Sequence, residues 1–233
     1  MKIENSVVLI TGANRGIGLE FTKAALARGA KKVYAAARNP ESITLEGVEK
    51  IKLDVTNQED IANLAQNYSD INVVINNAGI SIPDSVLSND VIANATAHFD
   101  TNVFGLLRVV KALEPALKQN AGAAVLNVLS LGSWVGSDMI ATYSASKSAA
   151  WSITNTQRIA LRPYDVQVSG LHMGFVDTDL TAGLDAEKSS PEDIVKIAFD
   201  ALEAGSEEII ADEITKMVKA TLSTSTPAYL AVN

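Results

Sequence analysis

This sequence has no cysteine and only two histidines, His98 and His172, which lie far apart along the chain. Without thiols there is no disulfide framework, and without clustered imidazoles or thiolates a zinc-based alcohol oxidation lacks its ligands. Aromatic residues make up 5% of the chain, so Ala, Val, Ile and Leu carry the apolar load, as expected where strands lie between helix layers. Positive charge is also scarce. A net charge of −8 leaves no basic field to attract nucleic acid or an anionic membrane surface. No apolar run approaches the roughly 20 residues that span a bilayer, and Met1 to Asn5 reaches the first strand too soon for a signal peptide. The expectation is a cytoplasmic chain with neither a nucleic-acid nor a membrane partner.

What is present is an alternation of short β-branched runs with helical periodicity. Strands are expected at Ser6 to Thr11, Lys32 to Ala37, Ile51 to Leu53, Asn72 to Asn76, Ala124 to Ser130, Val166 to Met173 and Glu208 to Ala211. Helices are expected at Ile17 to Arg28, Gln58 to Gln66, Ala93 to Lys118, Tyr143 to Arg162, Pro191 to Glu203 and Asp212 to Leu222. Repeated β-α units with near-continuous apolar strands predict an α/β fold, a doubly wound parallel sheet of the Rossmann type. With no linker or low-complexity stretch, residues 1–233 read as a single domain. Ligands of such sheets sit at the carboxyl ends of the strands, near the switch in strand order.

The first strand runs into Thr11-Gly12-Ala13-Asn14-Arg15-Gly16-Ile17-Gly18. A turn opening a helix offers unpaired N–H groups and a positive dipole end to a pyrophosphate. Gly12 permits the tight turn, Gly16 lets backbone approach phosphate, and Gly18 lets the helix pack close to the strand. The spacing is G-x-x-x-G-x-G, and taken alone it is also compatible with an ordinary turn. After the second strand, Ala37-Arg38 stands where NAD-preferring sites carry an acidic residue for the ribose hydroxyl. Arg15 and Arg38 would instead pair with a 2′-phosphate, which selects NADP(H); otherwise they are two solvated arginines.

Tyr143 and Lys147 stand at i and i+4 on an expected helix, so both project from one face. A phenol ordinarily titrates near 10, and a neighbouring ammonium would lower that value, giving an acid/base group closer to neutrality.

With these motifs in order, the sequence resembles the short-chain dehydrogenase/reductase family from Val7 to about Thr178. The resemblance rests on the glycine turn, Asp54 after the third strand, Asn76-Asn77-Ala78-Gly79 after the fourth, Asn102 in Thr101-Asn102-Val103-Phe104-Gly105, Ser130, Tyr143 and Lys147. It implies a tetrad: Tyr143 as acid/base, Lys147 lowering its pKa and holding the nicotinamide ribose, Ser130 bonding the substrate oxygen, and Asn102 positioning a relay water. It further implies that Asp54 and Val55 hold the adenine, although Asp54 also reads as a plain helix cap. Asn77, Ala78 and Gly79 would line the adenosine side, and Gly174, Val176 and Thr178 would meet the nicotinamide end. The implied activity is NADPH-dependent reduction of a ketone or aldehyde, reversible as alcohol oxidation. Alternatives are a 3-oxoacyl carrier-protein reductase and a non-catalytic NADPH-sensing protein.

The sequence also departs from the family pattern. Met173-Gly174 replaces the usual Pro-Gly, which predicts a less rigid loop. The substrate-covering segment, about residues 179–190, is short and predicts an open pocket. Trp134, Met139, Met173 and Phe175 are candidates to wall an apolar substrate site, though such residues are as readily core. His172 reads as structural. The helix Val103 to Lys118 is apolar almost all round, which implies a homodimer or homotetramer contact or else a buried in-domain helix.

Overall fold

Near-continuous apolar strands need cover on both faces, and the computed structural model, which describes residues 1–230, supplies it. The last three residues of the expected 1–233 domain lie outside the described residues. Strands β1 (Val7–Thr11), β2 (Lys32–Ala37), β3 (Glu49–Lys52), β4 (Val73–Asn76), β5 (Ala124–Val128), β6 (Gln167–His172) and β7 (Glu208–Ile210) form one parallel sheet. Its order is β3-β2-β1-β4-β5-β6-β7. The expected doubly wound sheet is therefore what the chain forms. Side chains alternate between the two cores, as a pleated strand requires: Val8, Ile10, Val73 and Ile75 enter one, Val7, Leu9 and Val74 the other.

Helices α1 (Gly16–Ala27) and α6 (Pro191–Glu203) cover the first face, where Phe21 and Phe199 meet edge to face at 5.1 Å. Helix α2 (Gln58–Asn67), together with α4 (Leu106–Gln119) and α5 (Ala141–Leu161), covers the second through Leu64, Val109, Leu113 and Leu161. The order in which strands are added reverses between β1 and β4, so the connections after these strands run to opposite faces and leave a crevice at the carboxyl edge.

The expected helix from Ala93 to Lys118 is interrupted. Helix α3 (Val91–His98) passes into a π-helical segment, Phe99–Gly105, before α4 begins. Nor is α4 apolar all round. Leu106, Val109, Val110, Leu113 and Leu117 are buried, while Lys111, Glu114 and Lys118 form ion pairs on the opposite side. Exposed apolar surface there is limited to Phe104 and Leu107, so a subunit contact loses the argument from all-round apolarity. The final expected helix is α7 (Glu213–Thr221), capped by Asp212, whose carboxylate accepts from Thr215 N at 2.8 Å. No helix among the described residues is long and apolar enough to cross a membrane.

Candidate active site

The glycine turn is held by the Asn-Asn-Ala-Gly motif rather than by its own residues. Asn77 Nδ2 donates to the carbonyls of Thr11 (2.9 Å) and Gly12 (3.2 Å), and the Thr11 hydroxyl accepts from the backbone N–H of Asn77 and Ala78. Gly12 has φ of +67°, a conformation that L side chains avoid. At Gly18 a Cβ would lie 2.1 Å from the Gly12 carbonyl oxygen, so only glycine lets α1 start this close to β1. That leaves a cleft of about 560 Å³, within the range of small-molecule and cofactor sites.

Most residues expected around a dinucleotide line this cleft. Gly12, Asn14, Arg15, Gly16 and Ile17 form one side, Arg38, Asp54 and Val55 a second, and Asn77, Ala78, Gly79 and Thr178 the rest. Sequence reasoning missed Ser42, Leu53, Asp179 and Leu180, which come to the same wall from outside the motifs, and Thr101, whose motif was read for Asn102 alone. Gly18, Gly174 and Val176 are not on the wall, and Tyr143 and Lys147, also expected to meet the cofactor, stand beyond its Gly79 end. Gly18 lies buried under the turn, Val176 is in the core, and Gly174 is bound to Asp212.

Asp54 is not a helix cap. Asn57 caps α2 by accepting from the N–H groups of Glu59 and Asp60, while Asp54 Oδ1 accepts from the Thr56 N–H and hydroxyl. Partial burial pushes the Asp54 carboxyl up, yet the Thr56 bonds and the Arg38 charge outweigh it and hold the group below its ordinary value. Arg38 is exposed at the cleft mouth. Arg15 is not free: its guanidinium meets Asp179 at 3.1 Å across the cleft, an exposed pair between the glycine turn and the loop after β6. That loop, the expected substrate cover, returns at once to its base, where Val176 pairs with Ser189.

Next to Gly79, at one end of the cleft, four expected residues converge. Ser130 leaves the end of β5 and caps a single turn, accepting from Gly132 N at 3.0 Å, and its hydroxyl lies on the Tyr143 side: a Cβ built on Gly132 would stand 3.4 Å from Ser130 Oγ and 3.7 Å from the Tyr143 ring. Lys147, one helical turn on, is buried and donates to the Val128 carbonyl at 2.8 Å. Asn102 sits in the π-helical segment and clasps Ile80: its Oδ1 accepts from Ile80 N (2.9 Å) and its Nδ2 donates to Ile80 O (3.0 Å). Gly79 lets these groups approach, since a Cβ there would stand 3.2 Å from Asn102 Oδ1 and 3.9 Å from Lys147 Nζ.

The Tyr143 phenol is raised here, whereas a neighbouring ammonium would lower it: burial pushes it above its ordinary value, and the Ser130 hydroxyl opposes the shift. The Lys147 ammonium lies 5.7 Å from the Tyr143 ring centroid, and desolvation lowers its own pKa to about 8. His172 is outside the tetrad but braces it, because its Nδ1–H donates to the Ser130 carbonyl at 3.2 Å.

One expectation about the substrate side is corrected. Met173 does not wall a pocket, since it is 3% exposed and packs in the core. The Trp134 ring is taken up by His172, stacked at 4.0 Å, with Trp151 at 6.3 Å and the Lys219 ammonium at 4.9 Å. Met139 and Phe175 are exposed, and neither reaches the cleft. The Met173-Gly174 loop is not left loose by its missing proline. Met173 O accepts from Leu131 N at 2.7 Å, and Gly174 N donates to Asp212 Oδ2 at 2.7 Å.

Known proteins place this geometry. The family model described as short chain dehydrogenase matches residues 6–189. A short chain dehydrogenase from Burkholderia cenocepacia, solved in complex with NADP, is 36% identical and superposes with a TM-score of 0.93, covering 97% of this chain and 95% of that one. The trans-4-hydroxycyclohexanecarboxylate dehydrogenase of Sinomonas cyclohexanicum is 31% identical over 78% of this chain and 77% of its own length. An uncharacterised oxidoreductase of Staphylococcus saprophyticus is 27% identical over 92% of this chain and 98% of its own. On the family match and the identity shared along nearly its whole length, the chain belongs to the short-chain dehydrogenase/reductase family of oxidoreductases.

Proposed function

We propose that the protein is an NADPH-dependent reductase of ketones or aldehydes, working in reverse as an alcohol dehydrogenase. The observation that carries this reading is the grouping of Ser130 and Tyr143 with buried Lys147 and Asn102, beside a glycine-cradled cleft whose mouth carries Arg38. The cradle fits a dinucleotide: Gly12 and Gly16 both have positive φ, which L side chains rarely adopt, so the turn stays free of side chains on the cleft where it opens α1. When bound, NADPH supplies the hydride.

The chain's own residues then deal with the charge and the proton. A carbonyl carbon gaining hydride builds negative charge on its oxygen, and Ser130 and Tyr143 present two hydroxyl donors to that position. A phenol pushed above its ordinary pKa stays protonated at neutral pH, which is the form that delivers a proton to the new alcohol. Lys147, anchored on the Val128 carbonyl, carries its charge into the site and faces the ribose side. Asn102, fixed to Ile80, holds the loop that follows Gly79.

The NADP-bound Burkholderia relative supports the cofactor reading, as does the lack of a carboxylate after β2. Docking of an acidic carrier protein has less support, because the cations at the cleft, Arg15 and Arg38, face the cofactor side. A spectrophotometric panel of ketones and aldehydes with NADPH and NADH tests the reading. Turnover of at least one carbonyl with NADPH preferred is expected; no turnover across the panel, or equal kcat/KM for both cofactors, overturns it.

A further inference from the structure

Tyr143 lies in the first turn of α5, and that turn has no cap of its own. Ile140 stands at the N-cap position and offers no side-chain acceptor. An uncapped first turn frays, and fraying here would move the phenol. The acceptor comes instead from another loop. Asp84, between β4 and α3, is 8% exposed; its Oδ1 accepts from the Thr142 N–H at 3.2 Å and its Oδ2 from the Thr142 hydroxyl. Backbone bonds fix the two loops together, Asp84 N to Met139 O at 3.0 Å and Ala141 N to Asp84 O at 3.4 Å. A carboxylate at this point also complements the positive end of the helix dipole.

The network continues through His98, which is fully buried at the end of α3. Its Nε2 accepts from Ile82 N at 2.9 Å, so the ring proton sits on Nδ1 and is donated to Thr142 Oγ1 at 2.8 Å. The Thr142 hydroxyl donates in turn to Asp84 Oδ2. Every donor therefore has one acceptor, and the direction of the chain is set by the Ile82 N–H. The His98 ring also stands edge-on to the Tyr143 ring, at 6.0 Å between centroids.

Resting on the reading of Tyr143 as the acid/base group, we infer that Asp84, Thr142 and His98 are positioning residues, which hold the phenol in place by capping its helix from outside and bracing its ring. The carboxylate cannot be exchanged for an amide without conflict. In Asp84→Asn the amide donates to the Thr142 oxygen, so either the hydroxyl proton loses its acceptor or the histidine changes tautomer and opposes the Ile82 N–H. A displacement of about 1 Å at a reacting group is enough to lower turnover about 100-fold.

The test compares Asp84→Asn, Thr142→Val and Thr142→Ser with Tyr143→Phe in the full-length protein. It uses NADPH fluorescence titration to count folded sites and the best carbonyl of the panel as substrate. Asp84→Asn and Thr142→Val are expected to lower kcat per NADPH-binding site by about 10-fold or more, with the NADPH Kd and the carbonyl KM within about 2-fold. Thr142→Ser should recover most of the loss. Thr142→Val retains the backbone donor to Asp84, so it remains informative should Asp84→Asn not fold. A fall in thermal stability with unchanged kcat per site, or a rise in carbonyl KM alone, would overturn the inference. If Tyr143→Phe is inactive while Asp84→Asn turns over normally, only the positioning role fails; if Tyr143→Phe keeps its kcat, the acid assignment fails and the inference with it.

Discussion

Lys147 is a charged amine kept in a place that disfavours charge, and the cost should be measurable. Desolvation takes its pKa from 10.5 to about 8, so in the ligand-free protein the native state gives up its proton before the unfolded chain does. Between those two values the unfolded state binds more protons, and stability must rise with pH there, by up to about 1.4 kcal/mol per unit. Below pH 8 the full penalty of about 3 kcal/mol applies. Lys147→Met removes it while keeping most of the stem volume, but leaves the Val128 carbonyl without its partner, which costs about 1–2 kcal/mol. The variant should therefore be more stable than the parent at neutral pH by about 1–2 kcal/mol, although inactive under the proposed mechanism. The advantage should shrink by about 2 kcal/mol on going to about pH 9.5, because only the parent gains from losing that proton. Urea unfolding of both proteins at the two pH values measures this double difference, in which every other titrating group cancels. A variant less stable at neutral pH, or a difference that does not change with pH, would refute the buried-charge argument.

Further outcomes follow from neighbouring contacts. Tyr143→Phe should lose about 100-fold or more in kcat while still binding NADPH, and Ser130→Ala should lower kcat similarly; steady-state kinetics with fluorescence titration checks both. Asp179→Ala frees Arg15 from an exposed pair worth no more than about 1 kcal/mol, so NADPH should bind up to about 5-fold tighter with NADH unaffected, and equal gains for both cofactors would count against Arg15 as a 2′-phosphate group. Burial lowers the His172 pKa from 6.5 to about 4, so its contribution to stability is complete above pH 6.5 and is lost as pH falls towards 4. His172→Gln should flatten that part of the stability profile in acid-titration experiments. Asp212→Ala strips the cap from α7 and the acceptor from Gly174, and a loss of about 1–2 kcal/mol with a raised KM for NADPH is expected.

Residues whose role is tied to local chain geometry were readable from the sequence. Gly12, Gly16 and Gly18 follow from the turn, Tyr143 and Lys147 from helical spacing, and the alternation of strands and helices from apolar periodicity. What escaped depends on which loops the fold brings together. Nothing in the spacing of Asp84, His98 and Thr142 joins them, because Asp84 and His98 come from separate parts of the β4–β5 crossover and Thr142 from the β5–β6 crossover. Asp179 likewise meets Arg15 only because β1 and β6 end on the same edge. Met173 and Trp134 were placed by proximity in sequence to the motifs, and proximity does not say which way a side chain turns at a strand end. The missing proline before Gly174 read as slackness because its substitute, Asp212, stands far along the chain.

The π-helical segment at Phe99–Gly105 is in effect a helix carrying one surplus residue. An insertion of that kind turns everything upstream of it by about 100° relative to everything downstream. Helix α4 can then keep its apolar stripe on the sheet while the upstream turns are rotated independently, bringing His98 to Thr142 and Asn102 to Ile80. Two demands on one continuous helix are separated by a local change of phase. Deleting a single residue between Phe99 and Thr101 would restore regular pitch and leave the helix intact, yet swing α3 away from α5, so a length change that costs no secondary structure would still undo the packing.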